Sequence, residues 1–249
     1  MQALKRLISV LHALAAGPES GLRLTDAAGF AGLDKATAGR LLDSLCSERL
    51  AVRSSCGRYY KLGPELAFLG LAAERSFDIG RTLHQPLTRL ATKTGDCCYL
   101  VIRSGNFSVC YAKAVGTHPV QAQIVQVGVR RPLGVGGTGL ALLASLPDEE
   151  IARILEENRE LLKNYAHYSN KRLQREVAEA RQRGYGLVKS YLTEDVWTLG
   201  FPICNPQGQY IAGISIATIS ARLSNGREKF IADSVMQAAR EIEESLAAM

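Results

Sequence analysis

The sequence predicts an α+β protein in two parts. A small N-terminal head of three helices and a hairpin precedes a larger body, one antiparallel sheet with helices packed on it. Three observations carry this. Apolar residues recur at helical spacing through the first fifty positions and then give way to two short strand-like runs around a glycine turn. From Cys97 onward, strand-like runs come first, helical stretches follow, three more strand-like runs succeed them and a helix closes the chain. Charge divides along the same line: residues 1–63 hold nine Lys/Arg against five Asp/Glu, and the rest hold twenty-one against nineteen.

In the head, Leu4, Leu7, Ile8, Leu11 and Leu14 form one face of an amphipathic helix that Gly17-Pro18 stops. A second, short helix is expected to start at Thr25, whose hydroxyl can cap the following amides, with Leu24, Ala27 and Ala28 turned inward. After Gly29 and Gly32, a third helix spans about Asp34 to Arg49. Ala38, Leu41, Leu42 and Leu45 face inward, and Lys35, Thr37 and Arg40 face outward over its first turns. A short helix, a glycine-containing turn and a helix with an exposed polar N-terminal face make a helix-turn-helix, which places the second helix in a major groove. Two runs then flank the turn Ser54-Ser55-Cys56-Gly57, the first ending at Arg53 and the second starting at Arg58, and predict a wing. Thr25, Lys35, Thr37, Arg40, Arg53 and Arg58 are the candidate contacts to double-stranded DNA.

Residues 63–77 read as a linker helix carrying Leu66, Leu69, Gly70 and Ala73, so the expected divisions are 1–62, 63–77 and 78–249. In the body a helix over 78–94 has Pro86 in its middle, which is expected to kink or divide it. Strand-like runs follow at Cys97–Arg103, Val109–Ala114 and Pro119–Gln126. A glycine-rich loop at 134–139 precedes a helix opening at Leu140. Helices are expected over Pro147–Asn164 and Asn170–Gly184, strands at Gly186–Tyr191, Val196–Pro202 and Tyr210–Thr218, and a last helix over Lys229–Ala248. The loop is no P-loop, because no Gly-Lys-Ser/Thr follows, and its spacing is not a dinucleotide fingerprint. Either its amides receive a carboxylate or its glycines serve close packing.

Composition narrows the class. The chain is 47% hydrophobic and 22% charged, without the signature of disorder. No apolar run has the length of a membrane span and no cleavage site follows Leu7–Ala16, so a cytoplasmic protein without membrane contact is expected. Cys46, Cys56, Cys97, Cys98, Cys110 and Cys204 form no C-x-x-C pair, and four scattered histidines make no ligand pair, so neither metal nor cofactor is expected.

The run from Gly32 to Leu42 (GLDKATAGRLL) resembles the recognition helix of the IclR family of bacterial transcription regulators. Tyr59–Pro64 resembles the family's wing-to-linker segment. Arg131-Pro132-Leu133 with Gly139–Ala144, Arg183–Gly186, Phe201-Pro202 and Ala212–Thr218 resemble later segments in the family's order. The resemblance implies a GAF-like effector domain, a homodimer or a tetramer made as a dimer of dimers, a palindromic operator, and repression or activation of a catabolic operon. It departs at Asp34, where the family has proline, and at Leu140, where it has lysine. In members that bind glyoxylate or pyruvate, an acid, a cysteine and two serines line the pocket. The corresponding positions here are Val188, Thr198, Ser215 and Ala217, and only Ser215 is kept. The candidate effector-binding residues are therefore Gly136, Gly137, Thr138, Lys189, Trp197, Thr198, Ser215 and Ala217. Lys189 is a candidate cation if strand alternation turns it inward. The effector is expected to be an organic acid, and the less polar set favours one larger than glyoxylate, aromatic acids included.

An alternative is a GAF-like enzyme or thiol sensor using Cys97 or Cys98. No histidine lies near them in sequence and no acid/base pair stands out, so no catalytic residue is assigned.

Overall fold

The computed structural model describes residues 2–74, 79–165, 168–190, 193–223 and 226–248. The chain divides into two compact units, Met1–Asp78 and Ile79–Met249.

In the first unit, helix α1 (Gln2–Ala16) sets Val10, Ala13 and Leu14 into a core with Leu22, Ala27, Leu42, Leu45, Ala51 and Tyr60. The anticipated stripe is buried only toward its C-terminal end. Leu4 and Ile8 are 66% and 41% exposed, because the small core reaches only the last turns of the helix. Helix α2 (Leu24–Ala31) starts one residue before the expected Thr25. Its cap position is Arg23, which makes no side-chain cap, and the Thr25 hydroxyl donates to the Asp26 carboxylate at 3.3 Å instead. Gly32, at φ 64°, ends α2 in the left-handed conformation that glycine adopts without strain. Helix α3 (Lys35–Ser47) is capped by Asp34, whose carboxylate accepts from the Thr37 amide at 2.9 Å. Strands β1 (Ala51–Arg53) and β2 (Tyr60–Leu62) pair antiparallel, with Arg53 opposite Tyr60. Leu22 extends this small sheet by exchanging backbone hydrogen bonds with Tyr60. Helix α4 (Pro64–Glu74) follows, with Phe68, Leu69 and Leu71 all more than half exposed.

The second unit opens with α5 (Ile79–Thr94), which runs through Pro86 as one helix. Leu83, Leu87, Leu90 and Ala91 are buried on both sides of the proline, and this packing offsets the one helical hydrogen bond the ring removes. Strands β3 (Cys97–Ser104), β4 (Phe107–Ala114) and β5 (Arg130–Pro132) form one half of the sheet, and β6 (Gly186–Lys189), β7 (Val196–Cys204) and β8 (Tyr210–Ile219) the other. All neighbours are antiparallel and the order is β5-β4-β3-β8-β7-β6. The segment 119–126, expected as a strand, is irregular, and the edge position beside β4 belongs to β5. Side-chain hydrogen bonds hold it instead. The Tyr99 hydroxyl donates to the carbonyl of Ala122 (3.1 Å) and accepts from the amide of Ile124 (3.0 Å), while Gln121 donates to the carbonyls of Gly95, Gly116 and His118.

Helices α6 (Gly136–Ala144), α7 (Asp148–Glu157), α8 (Arg159–Leu162) and α9 (Asn170–Arg183) lie between the two halves in sequence, and α10 (Arg227–Ala247) closes the unit after a short 3-10 turn at Ser220–Leu223. The stretch read as one helix over Pro147–Asn164 is thus two, and α6 begins four residues before Leu140. One sheet face carries Cys98, Leu100, Leu199, Ile214 and Ile216 against α5 and α10. The other face carries α6 and α9 over β6 and β7, and Tyr99, Val101, Cys110 and Ala217 packed with Ala122 of the irregular segment.

Candidate functional site

The first unit presents a cationic face. Lys35, Arg40 and Arg58 are exposed and Thr37 is half-buried, so the outer first turns of α3 and the wing turn carry uncovered donors. The hydrogen bond from the Thr37 amide holds the Asp34 carboxyl below the usual carboxylate range, keeping the cap charged. Among the described residues, no lysine or arginine of this unit lies within 4 Å of an acid, whereas twelve ion pairs join described residues of the second. Unpaired cations on one small unit are what a polyanion neutralises. Arg53 is partly engaged within the wing: its Nε donates to the carbonyl of Gly57 at 2.7 Å and its guanidinium lies 5.4 Å from the Tyr60 ring. Thr25 is exposed, at the start of α2. One residue was passed over. Arg23 precedes α2 and donates to the Tyr59 hydroxyl at 3.5 Å, tying the helix-turn-helix to the wing. A basic residue just before a helix that supports the recognition helix was the available signal.

The second unit holds a cavity of about 40 Å³ between the irregular segment, the sheet and the start of α6. Gly136, Gly137, Thr138, Thr198 and Ser215 line it, as do Tyr99, Ser108, Cys110, Ile124 and Arg131. The amides at the start of α6 are not open to a ligand as the loop reading supposed. Gly136 donates to the Tyr168 hydroxyl (3.0 Å) and Gly137 to the Thr198 hydroxyl (2.9 Å). The glycines instead serve close approach. A Cβ on Gly137 would stand 2.8 Å from the Thr198 carbonyl oxygen, one on Gly200 would stand 2.5 Å from the Thr138 nitrogen, and one on Gly186 would run into the Gly137 carbonyl oxygen. Thr198 therefore both caps α6 and faces the cavity. Ser215 sits opposite Tyr99 and Gly200 in the sheet register.

Lys189 and Trp197 lie elsewhere. They face each other across β6 and β7, and the Lys189 ammonium sits 3.9 Å from the Trp197 ring centre. Lys189 is exposed, and Trp197 packs against the α5/α10 core, on the far side of the sheet. Ala217 is fully buried on the cavity's face of the sheet, beside Cys97 and Tyr99, without lining the cavity. The cation that does line it is Arg131, which was not anticipated. The adjacent pair Arg130-Arg131 in a short strand was a usable signal, because alternation sends its members to opposite faces. Arg130 stacks over Phe107, 4.0 Å from its ring centre, and Arg131 turns to the cavity.

Cys97 and Cys98 are both fully buried, and burial pushes both thiols up from their ordinary value. Desolvation likewise raises Cys110, to about 11. Protonated buried thiols are poor nucleophiles, so the geometry lends nothing to thiol chemistry there. At roughly 10–15 Å³ per water centre, the cavity has room for about three waters. That is smaller than the larger acid favoured from the sequence requires, unless the irregular segment moves.

Comparison with known proteins agrees along the chain. The family described as "Bacterial transcriptional regulator IclR C-terminal" matches residues 72–244, and the "IclR helix-turn-helix domain" matches residues 3–55. The chain is 29% identical over 243 residues to the HTH-type transcriptional regulator BhcR of Paracoccus denitrificans, covering 97% of this chain and 86% of that one. It is similar in fold to an IclR transcriptional regulator from Alicyclobacillus acidocaldarius, with TM-score 0.78, 24% identity and 98% of both chains covered. It is also similar in fold to an IclR homologue from Microbacterium hydrocarbonoxydans solved in complex with 4-hydroxybenzoate, with TM-score 0.73, 20% identity and coverage of 99% of this chain and 100% of that one.

Proposed function

The chain belongs to the IclR family of bacterial transcriptional regulators, and from that premise we propose how its two units divide the work of a DNA-binding regulator. Lys35, Thr37 and Arg40 on α3 read base edges in the major groove. Arg58 on the wing and Thr25 at the start of α2 meet phosphates, and Arg53 shapes the turn that carries Arg58. The cavity under α6 takes a small organic acid whose occupancy controls DNA binding, with Gly136, Gly137, Thr138, Thr198 and Ser215 forming its wall. A catabolic operon, repressed or activated, is the expected target. The regulator acts from the cytoplasm as a dimer, or as a dimer of dimers, on a palindrome, because one recognition helix reads only a few base pairs. That a protein of the same fold was solved with 4-hydroxybenzoate supports an organic acid as the effector class.

The observation that carries this reading is the unpaired cationic stripe of α3 and the wing. A gel shift with the DNA upstream of the protein's own gene tests it. Arg40→Ala should weaken operator binding by about 1–3 kcal/mol and relax sequence preference. Arg58→Ala should weaken binding to all sequences alike and flatten the salt slope by about one unit. Unchanged affinity in both variants would remove the assignment.

A further inference from the structure

Arg131 is the one charged side chain among the described residues that line the cavity. Its neighbours there are hydroxyls, a thiol, apolar side chains and backbone. No acid lies within 4 Å of it among the described residues. Its Nη2 donates to the backbone carbonyl of Ile124 at 2.8 Å. Ile124 belongs to the irregular segment that covers the cavity, and that segment has no ladder to hold it. Three side chains of the sheet tie it down: Tyr99 through the backbone of Ala122 and Ile124, Lys113 through the side chains of Gln123 and Gln126, and Arg131 through the Ile124 carbonyl, the one of these ties that ends on the cavity's cation. A half-buried guanidinium bonded to one neutral carbonyl is an incompletely satisfied cation, since it carries five donors in a fork that fits a carboxylate.

We propose that Arg131 both reads the effector's carboxylate and latches the segment over the cavity, so that an arriving carboxylate replaces the Ile124 carbonyl and frees the segment to move. This rests on the cavity being the effector site. It also reconciles the cavity's size with a ligand larger than three waters. Exchange of one acceptor for another at Arg131 releases the wall that limits the volume. The carboxylate wins because it pairs opposite charges and can accept two parallel N–H bonds from the fork, where the carbonyl accepts one.

Two measurements on the full chain test the proposal. The first needs no ligand. In hydrogen exchange, peptides covering residues 119–129 should exchange roughly tenfold faster in Arg131→Gln than in the parent, with α9 and α10 unaffected. Unchanged exchange overturns the latch. The second is a thermal-shift series with pyruvate, benzoate and 4-hydroxybenzoate at about 10 mM, each beside its neutral amide. At least one acid should raise the melting temperature of the parent, its amide should not, and Arg131→Gln should abolish the shift. If Arg131→Gln fails to fold, Arg131→Lys keeps the charge but loses the fork, and the acid's affinity should drop about tenfold. A shift by acid and amide alike, no shift from any acid, or a shift that survives in Arg131→Gln overturns the carboxylate role. In the last case Ser215→Ala separates the two readings. If Ser215→Ala removes the shift, the cavity remains the effector site and Arg131 alone is misassigned. If neither variant changes it, the cavity assignment falls as well.

Discussion

Asp96 is 2% exposed and accepts hydrogen bonds from Thr218 (2.8 Å), Arg227 (2.8 Å) and Arg222, and both arginines also donate to the carbonyl of Thr94. One carboxylate thus ties the α5–β3 junction to the end of β8, the 3-10 turn and the start of α10. Asp96→Ala leaves two half-buried guanidinium groups without their anion, and the expected loss is about 3–5 kcal/mol in urea unfolding. A loss under about 1 kcal/mol would mean that the arginines simply turn to water. Cysteines give a second prediction at this scale. Cys56 lies exposed in the wing turn, and hydrogen bonds from the Ser54 hydroxyl and the Arg58 amide lower its thiol from the ordinary value, so it holds more thiolate near neutral pH. Mass mapping after maleimide labelling of the native protein should find Cys56 modified first, and Cys97, Cys98 and Cys110 only on unfolding. An operator fragment should slow labelling of Cys56; unslowed labelling would place the wing turn away from DNA. The exposed face of α3 was readable because helical periodicity places Lys35 and Arg40 outside once Ala38, Leu42 and Leu45 are inside. The Asp96 network was not, since its members lie more than 120 positions apart in the chain. Setting Trp197 and Thr198 in one pocket was avoidable, because neighbours on a strand point to opposite faces.

Among the elements, α6 repays attention to backbone rather than side chains. Its first turn lies against β6 and β7 so closely that Gly137, Gly186 and Gly200 have no room for a Cβ. Gly200→Ala should therefore destabilise the second unit by at least about 1–3 kcal/mol, because the neighbour it meets is backbone and cannot swing aside. Gly208→Ala is the control for space, since nothing lies within 4 Å of that position, though its φ of 75° carries its own strain. Equal melting temperatures for the parent and Gly200→Ala would show that the helix can withdraw. Helices with a one-sided apolar stripe and strands bounded by turn residues were legible, and so was the order of the elements. The segment 119–126 was not. It has strand composition, but the Tyr99 hydroxyl and the Arg131 guanidinium bond its backbone, and no local pattern announces a side chain arriving from twenty-five positions away. The start of α6 was misread for a related reason. Four glycines in a row of six read as a loop, yet three of them, Gly136, Gly137 and Gly139, lie in the first turn of a helix packed against β6 and β7.

For the whole molecule, the exposed apolar residues of α1 and α4 are the candidate contacts of the dimer proposed above. Leu4, Ile8, Phe68, Leu69 and Leu71 lie in the open on the DNA-binding unit, more than an isolated small unit usually leaves uncovered. Replacing Phe68 and Leu69 together with aspartate should shift the protein toward monomer in light scattering at micromolar concentration and weaken operator binding, while leaving circular dichroism unchanged. A parent protein that is already monomeric, with and without DNA, would refute the assignment. The two-part organisation was legible from the charge division and the change of periodicity, whereas the strand order was not, because pairing depends on partners far apart in sequence. That order has a consequence for synthesis. The head's core draws on residues within the first sixty or so positions. The centre of the sheet pairs Cys97 with Ala217, 120 positions later. On the ribosome β3 therefore waits about 6–24 s for its central neighbour at ordinary elongation rates. During that interval Cys98 and Leu100 lack the strand that will cover one flank, and a chaperone has a substrate. Nascent chains stalled near residue 150 should resist protease across the head and be cut between residues 97 and 114. Protection there should appear only once β8 has emerged, and protection any earlier would mean that the β3–β4 hairpin folds without it.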